Sequence, residues 1–286
     1  MHPLVSIVIP CYKGERFLAE AIESCLAQSW PSLEIIVVDD ASPDQCGAIA
    51  ERYARKDPRV RAIRLAQNGG VSRAFNVGFD AAKGEFMTRL AQDDLFLPNA
   101  ISTMAKRLID HPEVGLVYCD EQQIDEHGKV IGSLPRPEPA IALANGNKVG
   151  LCVMWRRAVW EKVGKFNPEF DTAEDYDYWL RVREHFVLSK CAAGPQLAMR
   201  RHSEMGSKVY SGKQEVLAAK IQAAQSGCVF AARQILKRGY FDAAYNYQMQ
   251  GRRRTALKHI VLAIFFWPFD LKLYRLLVSI LLRSKR

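Results

Sequence analysis

Glu34-Ile-Ile-Val-Val-Asp-Asp40 is an unbroken β-branched run that ends on two adjacent carboxylates. A run without polar alternation marks a strand buried on both faces, as in a parallel sheet. Val5-Ser-Ile-Val-Ile9, closed by Pro10, is a similar run upstream, and Val60 to Leu65 and Phe86 to Leu90 read as a third and a fourth strand downstream. Between these runs the period changes. Leu18, Ala21, Ile22, Cys25 and Leu26 recur at three and four residues, which predicts an amphipathic helix between Gly14 and Pro31. Ala48 to Arg55, Ser72 to Ala82 and Pro98 to Asp110 read as further helices, and Val114-Gly-Leu-Val-Tyr118 as a further strand. The alternation predicts an α/β fold: a Rossmann-like, mainly parallel sheet flanked by helices.

Three acidic pairs punctuate that pattern: Asp39-Asp40, Asp93-Asp94 and Glu174-Asp175. Adjacent carboxylates repel, and burying them unpaired is costly, so three such pairs point to cations or proton chemistry. In open α/β sheets ligands bind outside the carboxyl ends of the strands. Pro10-Cys-Tyr12, Asp39-Asp40 and Asp93-Asp94 would all lie on that edge. Asp94 is placed to hold a divalent cation shared with a diphosphate, since Mg²⁺ and Mn²⁺ take oxygen ligands. Asp40 could accept a hydrogen bond from a base or a sugar, and Asp175 could deprotonate an acceptor hydroxyl. The competing explanation is that each pair caps the helix after it, as acidic residues at helix N-termini do.

The ordered segments resemble the family 2 glycosyltransferases of the GT-A fold over roughly residues 4–207. They are Ser6-Ile-Val-Ile-Pro-Cys-Tyr12, Leu26-Ala-Gln-Ser-Trp-Pro31, Glu34 to Asp44, Asn68-Gly-Gly-Val-Ser-Arg-Ala-Phe-Asn76, Ala82-Lys-Gly-Glu-Phe86, Ala91-Gln-Asp-Asp94 and Phe166 to Arg181. The resemblance implies inverting transfer of a sugar from a nucleoside-diphosphate donor, with UDP expected, to a hydroxyl of a glycan, lipid-linked or other acceptor. It implies a donor-binding set of Pro10, Tyr12, Asp39, Asp40, Asn68, Arg73 and Asp93, with Tyr12 packing on the base. Asp94 and His202, the latter in Arg200-Arg-His-Ser-Glu-Met-Gly-Ser207, would hold Mg²⁺ or Mn²⁺. Asp175 would be the base, with Glu174 beside it. Trp179 is expected to be a packing residue rather than a platform for the acceptor. Two positions depart from the family pattern: Ala91 stands where a further Asp is common, and Phe75-Asn76 where Arg-Asn is common. No Gln-x-x-Arg-Trp sequence, carried by processive synthases of the family, is present, which favours single-sugar transfer.

Downstream, residues 149–163 hold a strand candidate and a short helix, and Tyr176 to Glu184 reads as helix. Segments 125–150 and 195–215 read as irregular and are assigned to the acceptor side. From Gln214 the chain reads as nearly all helix, with breaks at Gly239, Gly251 and Pro268. The expected division is a catalytic domain over 1–210 and an all-helical appendage over 211–286. Charge separates them too. The chain carries +9 overall, yet residues 252–286 hold nine Lys/Arg against one Asp, and the rest 31 against 30. A basic, aromatic-rich helical tail without a 20-residue apolar span suits an anionic membrane surface, or a helical hairpin packed on protein. Nucleic acid is an unsuitable partner, because no binding module accompanies the charge. Seven cysteines without a Cys-x-x-Cys spacing point to a reduced compartment. With no leader pattern at the N-terminus, the expected location is cytoplasmic, peripheral on the inner face of the membrane. The alternatives are a catalytically silent nucleotide-sugar-binding or scaffold protein and a sugar-1-phosphate nucleotidyltransferase. The second needs a glycine-rich phosphate loop that Pro10-Cys-Tyr-Lys-Gly14 does not supply.

Overall fold

The computed structural model describes residues 2–143, 146–203, 211–225, 229–268 and 270–282. Residues 204–210, which carry the second half of the His202 segment, and Cys228 lie outside them. The chain divides into two compact units, Met1–Ser203 and Glu204–Arg286.

In the first unit, β1 (Val5–Cys11), β2 (Leu33–Asp39), β3 (Val60–Arg64) and β4 (Phe86–Arg89) form a parallel block in the order β3-β2-β1-β4. Ile7 sits opposite Ile35 on one side and Thr88 on the other. Every residue of β2 is buried, which is why the run carries no polar alternation. Because the four strands run the same way, their carboxyl ends at Cys11, Asp39, Arg64 and Arg89 share one edge. Helices α1 (Leu18–Leu26), α2 (Cys46–Lys56) and α3 (Val71–Ala81) are the crossovers.

Beyond β4 the sheet becomes mixed. After the two-residue β5 (Leu95–Phe96) and α4 (Ala100–Asp110) come β6 (Val114–Ile124), β7 (Val130–Leu134), the short α5 (Pro139–Ala142), β8 (Val153–Arg156) and α6 (Arg157–Val163). A 3-10 turn at Pro168–Phe170 leads into α7 (Glu174–Arg183), and β9 (Val187–Arg200) follows. Among the described residues the sheet holds nine strands in the order β3-β2-β1-β4-β8-β6-β9-β5, with β7 on β6. Strand β8 is antiparallel to both β4 and β6, whereas β6 and β9 are parallel. Ile7, Ile9 and Ile35 of the sheet pack with Ile22 of α1 and Met104 of α4 in the main core. Trp155, Phe79, Phe166 and Tyr178 form an aromatic layer, with Phe166 and Tyr178 stacked at 4.3 Å.

Segment 125–150 is not irregular throughout, since Val130–Leu134 form β7 against β6. Two further departures from the sequence pattern have physical causes. Residues 195–200 are regular, as the end of the 14-residue β9. The polar residues that hide this strand are paired within the fold: Lys190 with Asp120 at 3.0 Å and Arg200 with Glu20 at 2.6 Å. The second departure lies in the helical unit, made of α8 (Ser211–Gln225), α9 (Val229–Met249), α10 (Arg253–Phe266) and α11 (Leu271–Leu282). Gly239 does not break a helix; it lies inside α9. A Cβ there would sit 2.2 Å from the Ala219 Cβ and 3.0 Å from the Glu215 carbonyl, so glycine allows α8 and α9 to touch. Gly251, at φ +72, and Pro268 do separate helices. Gly239→Val is expected to destabilise this unit by roughly 1–3 kcal/mol through overpacking. That exceeds the gain in helix propensity over glycine, which is below about 1 kcal/mol. A denaturation midpoint for the helical signal no lower than wild type would contradict the close approach.

Candidate active site

Three groups of side chains gather at and beside the carboxyl edge of β1, β2 and β4. The first surrounds Asp40. Its carboxylate accepts from the Gly69 N–H (2.8 Å), the Gly70 N–H (2.8 Å) and Asn68 Nδ2 (3.0 Å). Gly70 can present its N–H because it adopts φ +87, a conformation that favours glycine. Burial raises the Asp40 carboxyl above the usual range, against the pull of those two N–H groups and of nearby Arg73. Asp39 turns elsewhere. Its Oδ1 accepts from the Ser42 N–H at 2.8 Å, and its Oδ2 lies 3.3 Å from Arg64 Nε, so it braces the turn after β2. Pro10 is half-buried in β1, and Tyr12 is exposed just past its end. Gln92 ties that loop to the Asp93-Asp94 loop by accepting from the Tyr12 N–H (2.8 Å) and donating to the Tyr12 carbonyl (3.1 Å).

The second group is built on the loop after β4. Asp94 is 2% exposed, and its Oδ1 accepts from the Arg200 N–H at 2.9 Å. Burial, reinforced by the Asp93 charge, holds the Asp94 carboxyl well above the ordinary carboxylate range. Asp93 Oδ2 lies 2.9 Å from His202 Nε2. Arg200 locks the loop from below, donating to the Asp93 carbonyl at 3.0 Å and to Glu20 at 2.6 Å. The carboxylate chemistry fits a divalent cation: the buried Asp94 carboxyl, whose charge is disfavoured next to Asp93, would gain from a positive ion, and carboxylate oxygens suit Mg²⁺ and Mn²⁺. No cluster of three or more His, Cys, Asp or Glu positioned to hold a metal occurs among the described residues. Such a cation would fill out its shell from phosphate oxygens and water, as Mg²⁺ does.

The third group was only half visible in the sequence. Glu174 and Asp175 occupy the first turn of α7, and the side chain of Ala173 before them makes no cap. Both acids converge on Arg89, the last residue of β4. Its Nη1 donates to Glu174 Oε1 at 3.2 Å and its Nη2 to Asp175 Oδ2 at 3.1 Å. The Arg89 side chain is 6% exposed, and its guanidinium lies over the Phe75 ring at 5.3 Å and the Trp179 ring at 5.9 Å. Asn147 Nδ2 donates to Asp175 Oδ2 at 2.8 Å, and the Tyr176 N–H to Asp175 Oδ1 at 2.8 Å. Burial and the Asp175 charge push the Glu174 carboxyl up to about 7, although Arg89 opposes them. Trp179 is fully buried and packs against Trp155 and Phe166. Asp171 joins the first group to the third: it lies just before α7, and its carboxylate accepts from both the N–H and the Oγ of Ser72, at the start of α3.

Arg89 and Asn147 lie outside the motifs, and Gln92 and Asp171 lie inside them without a predicted role. Only Arg89 left a signal, as a cation at the end of an otherwise apolar strand, where burial demands an anionic partner. Asp39-Asp40 and Asp93-Asp94 lie short of the helices that follow them, which start after Gln45 and Asn99; Glu174-Asp175 does open α7, and Asp175 accepts from the Tyr176 N–H of its first turn as well as from Arg89.

A family model described as Glycosyl transferase family 2 matches residues 6–163. An uncharacterized glycosyltransferase of Rickettsia felis is 32% identical over 232 residues, which cover 74% of this chain and 36% of that protein. The chain spans 20% to 37% of the length of three of the curated relatives it matches. Among solved structures, S. aureus TarS 1-349 in complex with UDP-GlcNAc aligns with a TM-score of 0.65 at 18% identity, over 96% of this chain and 84% of that one. The mannosyltransferase PcManGT from Pyrobaculum calidifontis, in complex with GDP-Man and Mn2+, aligns at 0.60 and 17% identity, over 98% and 79%. At such identities the two structures show the shared fold. The family match spans more than half of the sequence, from β1 through both acidic pairs of the sheet edge to α6, and so this chain belongs to glycosyl transferase family 2.

Proposed function

We propose that the chain is a metal-dependent, inverting glycosyltransferase that moves one sugar from a UDP-sugar to an acceptor hydroxyl on a glycan or lipid-linked molecule. One observation carries this reading. Arg89 ties Asp175 to the end of β4, and the next five residues of the chain deliver Asp94. A carboxylate able to take a proton and a carboxylate able to face a diphosphate are thereby fixed to one strand end. Tyr12 would pack on the base, and Asp40, presented by the 68–70 loop and Arg73, would read its polar edge. Asp94 and His202 would hold Mg²⁺ or Mn²⁺, with Asp93 oriented by His202 toward the ribose or the donor sugar. The bound cation would neutralise charge on the departing nucleoside diphosphate. Asp175 would take the acceptor proton as the new glycosidic bond forms, and Asn147 and Arg89 hold its carboxylate in place.

Calorimetry with UDP- and GDP-sugars, with and without Mn²⁺ or Mg²⁺, tests the donor side of this assignment. Binding of a UDP-sugar that strengthens with metal is expected, and Asp94→Ala is expected to abolish the metal-dependent part. Nucleotide release in the presence of acceptor would follow from the same samples. Tight binding with no release under any acceptor would favour a silent binding protein. No binding of any nucleotide sugar with either metal would overturn the reading.

A further inference from the structure

The helical unit carries a surface that the chemistry above does not use. Helices α10 and α11 run antiparallel, because Arg253 at the start of α10 donates to the carbonyls of Ile280 (2.9 Å) and Leu281 (2.8 Å) at the end of α11. Ala256, Ile260 and Ala263 of α10 and Leu273 and Ile280 of α11 are buried in the unit's own core. The outer stripe of α10 reads Arg254, Lys258, Val261, Phe265, spaced four, three and four residues apart, which is one helical face. That of α11 reads Leu271, Tyr274, Val278, Leu281, spaced three, four and three, with Lys272 and Arg275 also exposed. Phe265 is 78% exposed and Leu271 73%, one on each side of the connection between the helices. Of the fourteen large apolar side chains exposed among the described residues, eight fall between Tyr245 and Leu281. The exposure is therefore a local feature of this unit and not a general property of the surface.

Charge decides what covers it. Neither α10 nor α11 contains an acidic residue, and together they hold five Lys/Arg. Asp270, in the connection, is paired with Lys237 at 3.1 Å. At 14 and 12 residues the helices are about 21 and 18 Å long, short of the roughly 30 Å needed to span a bilayer. No helix among the described residues is long and apolar enough to cross a membrane. We infer that α10 and α11 form a docking face for an anionic lipid surface, lying on it with Phe265 and Leu271 inserted and Arg254, Lys258, Lys272 and Arg275 at the headgroups. This goes beyond the proposed transferase reaction and does not depend on it, since binding to lipid is read without turnover.

Flotation of the full chain with vesicles tests it, using phosphatidylcholine alone and phosphatidylcholine mixed with phosphatidylglycerol. Binding at least about tenfold stronger to the anionic vesicles is expected, falling steeply with added salt. Phe265→Ser with Leu271→Ser, and separately Lys258→Glu with Arg275→Glu, should each reduce that binding several-fold. All four positions are exposed, so the circular dichroism spectrum should not change. Equal partition to both vesicle types, no partition to either, or anionic binding untouched by both double variants would overturn the inference. A concentration-dependent dimer that the Phe265→Ser, Leu271→Ser variant abolishes, without vesicle binding, would assign the face to a second copy of the chain and overturn it too.

Discussion

Asp175→Asn is expected to lower turnover by roughly 10²- to 10⁴-fold, the usual range for removing a general base, while donor affinity changes little. The substitution is nearly isosteric, so it removes the proton-accepting capacity with little change of shape. Asp175 Oδ2 accepts from Arg89 and Asn147, and Oδ1 from the Tyr176 N–H. An asparagine can keep its oxygen toward the first two donors but turns an N–H toward the third. The local cost is on the order of 1 kcal/mol, small enough for the fold to survive. Thermal melting and donor calorimetry on the same variant would separate a chemical defect from a structural one. Turnover within about tenfold of wild type, well outside the range for a lost base, would remove Asp175 from the role.

The part of the site that was legible in the sequence is the part encoded locally. Buried strands β1, β2 and β4 announce themselves as apolar runs, and the acids at their ends are read off by position. Asp40 and Asp94 are read in that way, whereas Asp175 is read from the pair it forms with Glu174 and from the family resemblance. What the sequence hid was pairing at a distance. Arg89 meets Glu174 and Asp175 across 85 and 86 positions, and Asn147 reaches Asp175 across 28. Strand β9 was hidden for the same reason, because Lys190 and Arg200 look like surface residues until Asp120 and Glu20 are seen beside them. Asp39 and Asp40 are adjacent in sequence and indistinguishable there. In the fold one braces a turn and the other faces the 68–70 loop, because successive side chains of an extended segment point to opposite sides. Gly239 misled because glycine in a helix usually signals an end, whereas here it marks a helix–helix contact.

Arg89 is where the second large effect is expected. Two carboxylates share one buried guanidinium, and the Glu174 carboxyl is pushed up to about 7 by burial and by Asp175. An acid whose folded value lies above its unfolded value holds its proton more tightly in the native state. Its contribution to stability is therefore greatest below about pH 4.5 and is lost as pH rises toward about 7. Arg89→Met removes the cation but keeps much of the volume between Phe75 and Trp179. Breaking a buried pair in this way costs about 3–5 kcal/mol. The same cation opposes the upward push on Glu174, so in Arg89→Met that carboxyl should rise further and the pH-dependent loss of stability should extend to higher pH. Glu174→Gln removes the titrating carboxyl and should flatten the stability profile across that window. Melting of both variants as a function of pH checks this. A purely structural role for Arg89 predicts a uniform loss of stability in Arg89→Met with an unchanged pH profile. If Glu174→Gln keeps the wild-type profile, another group titrates in that window, and the role of Arg89 is confined to holding α7 against β4.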